Sequence, residues 1–74
     1  MDSIVYNKNI DQKILNDMQI YVGENVVIGE NVSISCGTKL IGETVIENNC
    51  VLGVNSVIEN SFLKSGVKVK SIFI

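Results

Sequence analysis

The side chains that could do chemistry are few: Cys36 and Cys50, the carboxylates Asp17, Glu47 and Glu59, and a late cluster of Lys64, Lys68 and Lys70. The chain has 74 residues and no histidine. A thiol nucleophile needs a base within hydrogen-bond reach. The Ser35-Cys36-Gly37 stretch supplies none, so it is read as a turn. A carboxylate becomes a useful general base only where burial or a like charge shifts its titration. The spacing described below sets Glu47 and Glu59 beside corners, facing outward, and the reading for them and for Asp17 is solvated charge. Two cysteines without a paired Cys/His spacing do not make a metal knuckle. A nucleotidyltransferase would need a glycine-rich phosphate loop with basic residues opening a helix. Gly23 and Gly29 lie one repeat apart at corners and are no such loop. No catalytic, cofactor-binding or metal-binding residue is assigned.

Charge points the same way. Eight acids against six lysines leave a net charge of −2, which gives no general attraction to nucleic acid or to an anionic membrane. Lys64, Lys68 and Lys70 could touch a phosphate, but the expected role is a solvated face. No stretch approaches the roughly 20 apolar residues needed to cross a bilayer, and the start lacks a basic flank followed by an apolar run. A cytoplasmic protein is expected. Cys36 and Cys50 hold different places in the repeat, one in a turn and one facing inward. Free thiols in a reducing compartment are therefore expected rather than a disulfide.

The elements that would position these groups follow from residues 20–74. Val22, Ile28, Ile34, Leu40, Ile46, Leu52 and Ile58 recur every six residues, and after one step of five the series resumes as Leu63 and Val69. That period fits neither a helix face nor an ordinary strand; it marks a solenoid in which each hexad forms one flat side of a coil. With each aliphatic anchor as position one, position five carries Val26, Val32, Thr38, Thr44, Cys50, Ser56, Val67 and Phe73. These are mostly small or β-branched and suit an inward-pointing site at a tight corner. Position four carries Asn25, Asn31, Gly37, Glu43, Asn49, Asn55, Gly66 and Ile72. Asn and Gly tolerate the left-handed backbone that a sharp corner requires. At Glu43 the glycine comes one place early, as Gly42, and between Ile58 and Leu63 the pair Asn60-Ser61 marks a corner shortened by one residue. Threonine ladders of the ice-binding kind are not expected, because Thr38 and Thr44 face inward.

The first nineteen residues follow another pattern. Ile4, Val5 and Tyr6 predict a short extended arm. Ile10, Ile14 and Met18, with Leu15 beside them, predict one face of a short helix near residues 10–17. Asn9 is a candidate cap, with Gln12 in the capping-box position and Asp11 placed well for the helix dipole. So short a helix is marginal in water alone, and its apolar face is expected to cover the open end of the first coil. The expected organisation is residues 1–19 as arm and capping helix and residues 20–74 as the repeat. A chain of this size buries only about 60% of its unfolded surface, which favours self-association.

The hexad has a family likeness. Val22-Gly23-Glu24-Asn25-Val26-Val27, Ile28-Gly29-Glu30-Asn31-Val32 and Leu52-Gly53-Val54-Asn55-Ser56 resemble the hexapeptide repeat of left-handed parallel β-helix proteins. The resemblance implies an all-β fold in which three hexads make one triangular coil, with about three coils in this chain. Val22, Leu40 and Ile58 would then form one column, Ile28, Ile46 and Leu63 a second, and Ile34, Leu52 and Val69 a third. Left-handed winding runs against the usual preference for parallel connections and is implied by the likeness, not by the period. Residues 40–58, with Asn60-Ser61 and Ser65-Gly66-Val67-Lys68-Val69, more narrowly resemble the first coils of the acetyltransferase half of the bacterial bifunctional N-acetylglucosamine-1-phosphate uridylyltransferase family, which shows the same shortened corner. That likeness covers most of residues 14–74. It implies sites shared between subunits of a trimer, a histidine or similar base that this chain lacks, and acetyl-transfer residues on later coils. The expectation is a transferase-related module without catalytic residues or cofactor of its own, working beside a partner transferase domain, or else a structural oligomerisation or scaffold module that self-associates as a trimer, which is favoured, or end to end. The closing Ser71-Ile72-Phe73-Ile74 is expected to leave an apolar end.

Overall fold

In the computed structural model, which describes residues 2–70, the repeat folds as its period requires. The strands are β1 (Ser3–Tyr6), β2 (Tyr21–Val22), β3 (Val27–Ile28), β4 (Val32–Ser35), β5 (Lys39–Ile41), β6 (Val45–Ile46), β7 (Val51–Leu52), β8 (Val57–Glu59), β9 (Phe62–Leu63) and β10 (Lys68–Val69), with one helix, α1 (Gln12–Asp17). From β2 onward, successive strands visit three sheets in turn: β2-β5-β8, β3-β6-β9 and β4-β7-β10, every neighbouring pair parallel. The sheets are the sides of the coil, and the hexad is the length of one side plus one corner.

Register places the anchors in the three expected columns. Val22 pairs with Leu40 and Leu40 with Ile58; Ile28 with Ile46 and Ile46 with Leu63; Ile34 with Leu52 and Leu52 with Val69. Period-two alternation along each strand turns these inward and their neighbours outward. Leu40, Ile46, Leu52 and Ile58 are at most 1% exposed. The corner shortened after Ile58 leaves this intact: Val45 pairs with Phe62, one residue nearer in sequence than the Val27–Val45 step. Phe73 and the closing 71–74 lie outside the described residues.

Corners use the predicted backbone with two exceptions. Asn31, Asn49, Asn55 and Asn60 have φ of 57°, 63°, 59° and 49°, and Gly37, Gly42 and Gly66 have 76°, 70° and 80°. Asn25 is not among the left-handed residues, whereas Gln19 is, at φ 58°. Gln19 follows the C-cap of α1: its N–H donates to Asn16 C=O (3.0 Å) and that of Ile20 to Leu15 C=O (2.9 Å), the pattern that closes a helix through one left-handed residue. Ile20, just beyond it, is 3% exposed. Asparagine also joins corners from coil to coil. Asn31 Nδ2 donates to Asn49 Oδ1 (2.8 Å), Glu30 N–H to Asn48 Oδ1 (2.7 Å) and Glu43 N–H to Asn60 Oδ1 (2.9 Å).

The N-terminal segment covers one end of this stack. β1 adds antiparallel to β4, Ser3 opposite Ser35 and Tyr6 opposite Val32. This explains a difference within the first coil. Val32 and Ile34, lying under β1, are fully buried, while Val22 and Ile28, on strands with no described strand above them, are only half-buried.

The helix is shorter than expected and differently capped. Asp11 is the N-cap and accepts from Lys13 N–H at 2.9 Å. Asn9 instead belongs to a turn in which Asn7 Oδ1 accepts its N–H (2.8 Å) and Asn7 C=O accepts from Ile10 (3.0 Å). That turn takes Ile10 out of the helix, and Gln12 Nε2 donates forward to Asn16 Oδ1 (3.0 Å) rather than back to a cap. The buried face shifts with it. Leu15 is 3% exposed and joins the core, while Ile14, expected on the buried face, is 41% exposed. The chain leaves α1 through Met18 C=O, which accepts from Gly37 N–H at 2.9 Å, so helix and coil are tied by a backbone bond as well as by packing.

Candidate functional site

The corners hold the small polar side chains, and their first task is structural. Thr38, Thr44, Cys50 and Ser56 are fully buried, and each has a backbone partner. Thr38 Oγ1 donates to Gly53 C=O (3.1 Å), Thr44 Oγ1 to Ile41 C=O (2.8 Å), Ser56 Oγ to Gly53 C=O (2.7 Å) and Cys50 Sγ to Lys64 C=O (3.2 Å). Among the described residues no buried side-chain nitrogen or oxygen lacks a partner. A short inward hydroxyl fits a corner because it fills little volume and finds a second lone pair on a backbone carbonyl close by, as Ile41 C=O, which also accepts from Asn60 N–H (3.2 Å), provides for Thr44. Thr44 does more than the others, since its oxygen also accepts from Ser61 N–H at 3.3 Å, across the shortened corner. Thr44→Val keeps the shape but removes both bonds. It should lower unfolding stability by about 1–3 kcal/mol in urea titrations, more than Ser56→Ala, which leaves no backbone donor behind.

The groups considered for chemistry do not converge. Cys36 and Cys50 are free thiols, the first half-buried and the second buried. The Cys36 backbone is held on both sides, its N–H donating to Asp2 C=O (2.8 Å) and its C=O accepting from Asn55 N–H (3.0 Å). Glu47 is not the freely solvated charge expected. It is half-buried, and its Oε1 accepts from Ser65 N–H at 3.1 Å, which fastens the corner of the next coil. Glu59 and Asp17 are exposed. Lys64, Lys68 and Lys70 are exposed too. Lys64 follows β9 on one sheet and Lys68 lies on β10 of the next, with the Gly66 corner between them. Open clefts lie among the described residues. One, of about 650 Å³, lies between the turn after β1 (Tyr6, Asn7, Lys8) and the corner at Glu30 and Asn31. Another, of about 430 Å³, is lined by Gln19, Gly37, Lys39, Asn55 and Val57. Neither is lined by a thiol.

The most distinctive surface feature is an apolar row. Outward residues on β3, β6 and β9 are Val27, Val45 and Phe62, stacked by register, and Val27 and Phe62 are 60% and 58% exposed. The equivalent rows on the other sides are interrupted by lysine. They read Tyr21-Lys39-Val57 on one sheet and Ser33-Val51-Lys68 on the other. Among the described residues, only the β3-β6-β9 side presents an unbroken apolar row at this position, and Gly29, Glu47 and Lys64 follow that row on the same side; it was legible beforehand as the outward partner of the inward column.

This architecture is that of a stacked hexapeptide repeat, and residues 25–60 match the family model described as bacterial transferase hexapeptide (six repeats). Among curated proteins, the chain is similar to the bifunctional protein GlmU of several bacteria. It is 38% identical over 58 residues to that of Alkaliphilus oremlandii, 42% over 57 residues to that of Synechococcus elongatus and 46% over 41 residues to that of Exiguobacterium sibiricum. These alignments cover 78%, 77% and 55% of this chain but only 13%, 13% and 9% of the relatives. No solved structure gives a significant match. The matches support the likeness read from residues 14–74.

Proposed function

We propose that the chain is a left-handed parallel β-helix module of about three coils, related to the acetyltransferase part of sugar-nucleotide transferases and not catalytic on its own, whose role is self-association. A trimer through the flat sides is the favoured form, in the cytoplasm, with a partner transferase domain as the alternative associate. The observation that carries this reading is the apolar row Val27-Val45-Phe62 on one side of the coil. An exposed row of this kind ordinarily marks a contact, and a rigid parallel sheet presents it without further ordering of the chain. A cyclic arrangement in which that side meets a different side of the next copy closes a ring. The sequence supports the non-catalytic half of the reading, because the resemblance implies a histidine or similar base, the chain has no histidine, and its carboxylates considered for that role do not converge on a site.

Sedimentation of the chain and of Phe62→Asp tests the association. The unmodified chain is expected to sediment as a trimer and the variant as a folded monomer, since the new carboxylate would have to lose its water in the contact. A monomer for the unmodified chain at high concentration, or an unchanged oligomer for Phe62→Asp, would remove the support. Calorimetric titration with acetyl-CoA and with UDP-N-acetylglucosamine tests the other half. No heat of binding is expected, and low-micromolar binding of either would reveal a retained site and refute the non-catalytic reading.

A further inference from the structure

The outermost strand of the four-stranded sheet is β1, in the order β1-β4-β7-β10, and its far edge faces no described strand. Natural sheets usually blunt such an edge with lysine, proline or a bulge. Ser3-Ile4-Val5-Tyr6 has none of these within it. The backbone groups on that edge can be assigned. In an antiparallel pair, alternate residues exchange hydrogen bonds with the neighbour while those between turn their N–H and C=O away. Cys36 N–H donates to Asp2 C=O, which with the Ser3–Ser35 register places Asp2, Ile4 and Tyr6 in the bonded set. Ser3 and Val5 therefore direct their donors and acceptors outward.

We propose that this edge pairs antiparallel with β1 of a second copy, across a two-fold axis at Val5. The sequence Asp2-Ser3-Ile4-Val5-Tyr6-Asn7-Lys8 complements itself about that residue. With Val5 opposite Val5 of the second copy, each donates its N–H to the other's carbonyl. Ile4 then falls opposite Tyr6 on the inward face and, just past the strand, Ser3 falls opposite Asn7, which opens the turn to Ile10, so that Lys8 at the head of that turn comes next to Asp2, an acid near a base at both ends of the ribbon. Residues directly opposite in an antiparallel pair share a face, so the alternation of β1 carries through: Ile4 and Tyr6 half-buried, Ser3 and Val5 exposed. Centring on Ile4 instead would also satisfy the backbone, but it sets Asp2 against Tyr6 and leaves Lys8 unmatched. The charges select Val5. Two copies joined in this way meet head to head at the end where β1 lies, independently of the β3-β6-β9 side, and so short a ribbon gives a weak dimer.

The test is made in the Phe62→Asp background, so that it does not depend on the lateral contact. Amide exchange of Val5 is followed by NMR at protein concentrations of about 0.05 mM and about 1 mM, together with translational diffusion. Pairing predicts that Val5 becomes protected and diffusion slows at the higher concentration, while Ile4, already bonded to β4, changes little. Lys8→Asp turns two attractive cross-strand pairs into two repulsive ones and should weaken the dimer about tenfold. The exchanged double variant Asp2→Lys with Lys8→Asp should return it to within about twofold of the starting value. Val5 exchange that is independent of concentration would overturn the proposal. So would a Lys8→Asp dimer of unchanged strength, a double variant that fails to recover, or protection of Val5 that appears only on adding an unrelated extended peptide.

Discussion

Leu52→Ala is expected to lower the unfolding free energy by about 3–4 kcal/mol, within the range of large-to-small substitutions at sites that cannot collapse. Leu52 is fully buried and lies between Ile34 above and Val69 below in its column. The cavity would therefore be walled by side chains whose strands are held at ladder spacing, and the backbone cannot close by moving the coils together. A chain of this length carries about 4–11 kcal/mol of net stability at 0.05–0.15 kcal/mol per residue, so the loss is about a quarter of the total or more. Val51, the preceding residue, points outward and is 39% exposed. Val51→Ala should change stability by about 0.5–1 kcal/mol. Urea unfolding of the two variants, one residue apart, separates inward from outward positions. Equal losses would be incompatible with the strand alternation described above.

Gly42→Val carries the second large effect, about 3 kcal/mol or more, because two independent penalties add. Gly42 has φ of 70°, where a β-branched side chain is strained. A Cβ at this place would also press on Asn60 Oδ1 and come within 2.8 Å of Asn60 Cγ, and that oxygen is the acceptor for Glu43 N–H. The substitution must either tilt the corner or break the bond joining two coils. Gly66 provides the comparison, since its φ is 80° but a Cβ there meets nothing within 4 Å. Gly66→Val retains only the backbone strain, about 1–2 kcal/mol. A difference near zero between the two would show that the Asn60 contact contributes nothing.

The periodic part of the fold was legible because its physics is local and repeated. An aliphatic residue every six positions has one economical arrangement, and the columns through Leu40, Ile46 and Leu52 follow from it. Even the missing residue after Ile58 could be placed, since Asn60-Ser61 supplies a corner and Leu63 resumes the series. Where the repeat loses its composition, legibility ends. Gln19 takes left-handed backbone although nothing in its chemistry announces this, because it follows the cap of α1 and its N–H and that of Ile20 turn back to Asn16 C=O and Leu15 C=O. Asn9 and Asp11 are both good caps by type. The choice fell to Asp11 because Asn7 closes a turn first, a competition between local hydrogen bonds that residue preference cannot rank. The pairing of β1 with β4 was beyond reach for another reason: four alternating residues predict a strand but not which edge receives it.

The candidate site divides in the same way. That Thr38, Thr44, Cys50 and Ser56 face inward could be read from position five. Glu47 was misread as solvated because its partner, Ser65 N–H, belongs to the next coil and is eighteen residues away. The apolar row Val27-Val45-Phe62 is the counterpart of the inward column one residue on, and it stands out only when register shows that lysine breaks the other two sides.

The claim on which these readings rest is that residues one turn of the coil apart, eighteen in sequence or seventeen across the shortened corner, are piled directly on one another on three sides. Methyl nuclear Overhauser effects test it most directly. The account predicts cross-peaks from Leu40 to both Val22 and Ile58, its neighbours in register. Cross-peaks joining Leu40 instead to partners of an antiparallel hairpin, with none to Val22 or Ile58, would contradict it.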